Sequence, residues 1–83
     1  MSLDKIRQEI DKLDRKFVKL LKKRMDLALA SKEYKTKIED LDREEEIDAN
    51  LKEMAINNQI DYDYLKRIYE IIFQEGKKKQ NTD

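Results

Sequence analysis

A chain of 83 residues with one glycine and no proline, cysteine or histidine has no disulfide or thiolate–imidazole metal site to support a small core. The same absences exclude a histidine triad, a thiol nucleophile and a glycine-rich phosphate loop. Its 19 basic and 19 acidic residues cancel to zero net charge, so nothing global draws it to nucleic acid or an anionic membrane.

Charged residues make up 46% of the chain. With helical periodicity, that content reads as long amphipathic helices that gain a larger core by oligomerising. No apolar run approaches the roughly 20 residues of a bilayer span. Asp4, Lys5 and Arg7 interrupt any apolar signal core at the start. The expectation is a cytoplasmic protein, with Lys77, Lys78 and Lys79 read as a solvated tail.

Leu3, Ile6, Ile10, Leu13, Phe17, Leu20 and Leu27 follow a heptad seam that continues through Arg24, Ser31, Tyr34 and Ile38. The spacing predicts a first helix over about 3–37, roughly 50 Å long and in need of partners along its length. Asp40 and Asp42 are N-cap candidates for a second helix over about 41–56, and Asp42 with Glu45 fits a capping box. Its inward residues are Ile47, Leu51, Met54 and Ala55. Asn57-Asn58-Gln59 reads as a turn. Asp61 caps a third helix over about 62–79, with Ile60 and Leu65 spaced as a hydrophobic staple and Leu65, Ile68, Tyr69 and Ile72 as its apolar face. The reading is one all-α domain over residues 1–83, one helix long and two shorter.

Each apolar stripe runs into polar or small residues. The first carries Arg24 and comes close to Lys35; the second extends back to Glu44 and Asp40; the third extends forward to Gly76 and Gln80. A buried charge without a partner is costly, and a site for a charged ligand resolves the conflict. Arg24 and Lys35 lie about 20° apart around a helix and roughly 16 Å along it. If two antiparallel copies cross near residue 21, Arg7 of one faces Lys35 of the other, giving two sites per symmetric pair. Each residue also has a plainer role. Arg24 can set register or snorkel, Lys35 can meet a helix dipole, and Asp40 can simply cap. Arg43 and Glu44 can be solvated first-turn charges, Gly76 can end a helix, and Gln80 can lie in a frayed tail. An enzyme built from these groups works by orientation and electrostatics.

The stretches IRQEIDKLDRKFVKLLKKRMDLALASKEYK, DLDREEEI and YLKRIYEIIFQEGKKKQ together resemble the all-helical chorismate mutase family, from about Leu3 to Gln80. The resemblance implies an intertwined dimer of three-helix chains that rearranges chorismate to prephenate on the route to phenylalanine and tyrosine, with no metal and no cofactor. It implies that the partner's Arg7 and Arg24 hold the substrate carboxylates. Lys35 would contact a carboxylate and the ether oxygen, and Gln80 would donate to that oxygen. Glu44 would accept from the ring hydroxyl near Asp40, and Arg43 would support the electrostatics. Two departures stand out. The stretch from Lys35 to Asp40 is about one helical turn short of the family pattern, so the first helix either ends a turn early or runs on into the second. Gly76 stands where members often carry a serine that touches a carboxylate. Gly76 also weakens the third helix by about 1 kcal/mol, so disorder of Gln80 without ligand is one expectation. The alternatives are an isochorismate–pyruvate lyase of the same fold, against which Glu44 argues, and a non-catalytic helical dimerisation module.

Overall fold

The structure is a computed structural model that describes residues 2–34 and 40–81. It is all-α: α1 (Leu3–Ser31), a 3₁₀ turn (Lys32–Tyr34), α2 (Leu41–Asn57) and α3 (Tyr62–Gln80), with no strand among the described residues. The chain divides into two compact units, residues 1–31 and residues 32–83.

The first unit is α1. Ser2 caps it, its Oγ accepting from the Lys5 amide at 3.2 Å. Lys22 and Asp26 pair one turn apart at 2.5 Å on its polar side. Its apolar stripe is exposed in the single chain: Ile10 at 49%, Leu13 at 62% and Phe17 at 52%. The α-helix ends at Ser31 rather than near residue 37. Ser31 Oγ donates to the Ala28 carbonyl at 2.6 Å, a local bond that competes with helix continuation, and the chain tightens into the 3₁₀ turn. Lys35 and Ile38 of the expected helix lie outside the described residues.

The second unit is built on α2 and α3. Asp40 is the N-cap of α2, its Oδ1 accepting from the Arg43 amide at 3.1 Å, so the Asp42–Glu45 box is not the one that starts the helix. At the other end Gln59 sits at φ 55°. The Ile60 amide reaches the Ala55 carbonyl at 2.9 Å and the Gln59 amide reaches Ile56 at 3.3 Å. That is a Schellman stop made with glutamine in place of glycine. Asp61 then caps α3 through the Tyr64 amide at 3.1 Å. Ile60, Leu65, Met54 and Tyr69 line one shallow cleft with Leu51, which puts the two residues spaced for a staple at the same cleft. The buried apolar side chains among the described residues are Leu51 and Ala55, at 2% and 4% exposure. Tyr62 adds a polar tie: its hydroxyl donates to Asp48 Oδ1, and the Lys52 ammonium sits 5.6 Å from its ring centre. No helix among the described residues is long and apolar enough to cross a membrane.

Candidate functional site

The polar residues singled out from the sequence divide between the units. Arg7 and Arg24 belong to α1, the first exposed and the second half-buried. Lys35 lies outside the described residues. Asp40, Arg43, Glu44, Gly76 and Gln80 belong to the second unit. There the start of α2 is tied to the end of α3 through an ion pair. Lys77 Nζ lies 3.2 Å from Glu44 Oε2 and 3.4 Å from Oε1. The two side chains are 34% and 26% exposed, so the pair is partly sheltered from solvent.

α3 runs through Gln80, and its end carries a long-range cap. Lys32 Nζ donates to the Gln80 carbonyl at 2.7 Å, from a residue 48 positions earlier. A cation on a terminal carbonyl also meets the negative end of the helix dipole. The Asn81 amide closes the last turn onto the Lys77 and Lys78 carbonyls at 3.1 and 3.3 Å. Gln80 is 5% exposed and its Oε1 is shut off from solvent. Gly76, one turn earlier on the same face, is buried too. A Cβ built there meets no heavy atom within 4 Å, so the space beside this glycine is open.

Asp40 and Arg43 have local duties. The Asp40 side chain is spent on the cap, and the exposed Arg43 guanidinium pairs with Glu46 one turn on. Glu44 is half-buried and Gln80 buried in this unit, the first an anionic acceptor and the second an amide that can donate and accept. No group of three or more acidic metal ligands occurs among the described residues. The titration anomalies lie elsewhere: the Tyr62 hydrogen bond holds the Asp48 carboxyl below its ordinary value and pushes the Tyr62 phenol up to about 12.

Sequence reasoning missed Lys32 and Lys77. Lys77 was open to discovery, because it lies four residues after Phe73 and three before Gln80, on a face that turns inward. Lys32 carried no such signal, since its partner is a backbone carbonyl far along the chain.

A family profile described as chorismate mutase type II matches residues 6–81. No curated protein and no solved structure matches the chain.

Proposed function

The chain is a member of the chorismate mutase type II family, and we propose that it catalyses the intramolecular Claisen rearrangement of chorismate to prephenate, in the cytoplasm, for phenylalanine and tyrosine synthesis. The observation that carries the reading is the extent of the family match. It runs from residue 6 to residue 81 and so includes every candidate residue, from Arg7 to Gln80.

The reaction suits these groups. One C–O bond breaks as one C–C bond forms within a single molecule, and no proton or electron has to be supplied. The enzyme's task is to hold a flexible dianion in a compact conformer and to stabilise charge on the departing ether oxygen. Arg7 and Arg24 grip the two carboxylates, because guanidinium groups bind carboxylates in a two-point geometry. Lys35 and the Gln80 amide donate to the ether oxygen, where negative charge grows only as its bond lengthens. Their contribution therefore favours the transition state over the bound substrate. Glu44 accepts from the ring hydroxyl. Gly76 provides room but no hydroxyl of its own beside a carboxylate.

The proposed assembly is a homodimer in which Arg7 comes from the partner chain. The exposed stripe of α1 supports it: Leu3, Ile6, Ile10, Leu13, Phe17 and Leu20 are each at least 41% exposed, a continuous apolar surface that a lone helix leaves in water. The test is the loss of chorismate absorbance on adding pure protein, with isochorismate run in parallel. Wild type is expected to turn over chorismate, and Arg24→Ala to fall by about a hundredfold or more. Equal rates for the two, at the uncatalysed background, would reject catalysis and leave a helical interaction module. Turnover of isochorismate alone would select the lyase.

A further inference from the structure

Lys77 sits in a run of three lysines, yet its environment differs from that of its neighbours. Lys78 and Lys79 are exposed, whereas Lys77 is half-buried and its ammonium contacts both oxygens of Glu44. The two residues are 33 positions apart, so the pair is a tertiary contact and not a helix-surface bridge. It spans the first turns of α2 and the last turns of α3.

This inference rests on the mutase reading, and charge is what gives the pair a function there. Glu44 is an anion, and the proposed substrate is a dianion. A carboxylate that accepts one hydrogen bond from the substrate's hydroxyl also repels its two carboxylates. A cation fixed on that carboxylate cancels the repulsion. It leaves acceptor capacity unused, because a carboxylate offers about four lone-pair sites. Lysine is suited to this because its ammonium is a compact point charge on a long stem that reaches across from the neighbouring helix.

We infer that Lys77 is a positioning and specificity-determining residue: its ammonium fixes the Glu44 carboxylate in place and neutralises it, so that a doubly negative, hydroxyl-bearing substrate can approach. The residue acts through Glu44 and on the binding of the dianion. Its loss is expected in KM more than in kcat.

The experiment measures chorismate kinetics for wild type, Lys77→Met, Lys77→Gln, Lys77→Arg, Glu44→Gln and the double variant Lys77→Met/Glu44→Gln, with Lys78→Met as control. Lys77→Met and Lys77→Gln are expected to raise KM by roughly tenfold, the effect of one uncompensated charge on a dianion at short range. The increase should shrink as salt is raised. Lys77→Arg keeps the charge and stays close to wild type, as does Lys78→Met. In the Glu44→Gln background the Lys77 substitution still removes one positive charge near the dianion, but no carboxylate remains for the ammonium to fix in place, so its factor in KM is expected to be clearly smaller than in the wild-type background. A simple loss of packing would act alike in both backgrounds. If wild type is active and Lys77→Met has wild-type KM, or the same factor appears with and without Glu44, the inference is wrong and the mutase reading stands. If wild type shows no turnover, both fall together. Melting curves identify unfolding of either single variant, and the inference requires at least the Lys77→Gln protein to be folded with raised KM.

Discussion

Replacing Gly76 by alanine separates the two consequences of having glycine in α3. The residue lies inside the helix, five positions before the C-cap Asn81, where glycine costs about 1 kcal/mol relative to alanine. The added Cβ meets no heavy atom within 4 Å, so no steric cost opposes that gain and no new packing adds to it. Gly76→Ala is therefore expected to stabilise by about 1 kcal/mol, a rise in Tm of about 4–8 °C for a domain this size. Circular dichroism melts at a fixed protein concentration read this directly. Gly76→Ser is expected to give roughly half the stability gain, since serine is a weaker helix former. On the mutase reading it also restores a hydroxyl beside a substrate carboxylate. One such hydrogen bond is worth about 1 kcal/mol, or roughly a fivefold lower KM, an improvement alanine does not share. A lower Tm for Gly76→Ala would show that the space beside residue 76 is filled in solution. Equal KM values for the alanine and serine proteins would show that no carboxylate reaches it.

Two further predictions concern the ties of the second unit. Tyr62 donates to Asp48 only while its phenol is neutral, and that bond raises the phenol to about 12 from 10.0. Its stabilisation is complete below pH 10 and is lost as pH rises toward 12. The Asp48 carboxyl is held below 3.8, so its share is present above that pH and is lost on acidification. The Tm difference between wild type and Tyr62→Phe should be flat from about pH 5 to 9 and shrink at both extremes. A difference unchanged at pH 12 would rule the bond out. Lys32→Met removes the donor at the Gln80 carbonyl and is expected to speed amide exchange of Gln80 and Asn81 by about tenfold, as a last turn loses its cap. Unchanged protection would mean that α3 holds Gln80 without help.

The starts of α2 and α3 could be read from the sequence because their determinants are local. Asp40 and Asp61 each cap the amide three residues on, and that spacing is visible in one dimension. The end of α2 was partly legible. Asn57-Asn58-Gln59 marked the turn, but no rule of composition singles out Gln59 as the residue in the left-handed region, a role glycine fills more cheaply. The end of α1 was only half legible, since the short stretch before Asp40 allowed an early stop or a helix running on. Neither glycine nor proline marks it, and what fixes Ser31 and Lys32 is a side-chain bond to Ala28 and a reach to Gln80. For the candidate site, Glu44 and Gln80 drew notice because each continues an apolar stripe, and both are at least half-buried. Lys77 was hidden by its setting. Beside two more lysines it looks like tail, and its partner lies on another helix.

The exposed stripe of α1 and the small core of the helical pair, Leu51 and Ala55 among the described residues, have a thermodynamic consequence. On the proposed assembly, the surface that completes the fold is supplied by a second chain, so folding and association share one equilibrium. Dilution then unwinds the helices and silences the chemistry in parallel, and rate per chain falls with total protein instead of staying constant. On the mutase reading, a substrate that binds only the assembled form shifts that equilibrium back and acts as its own glue.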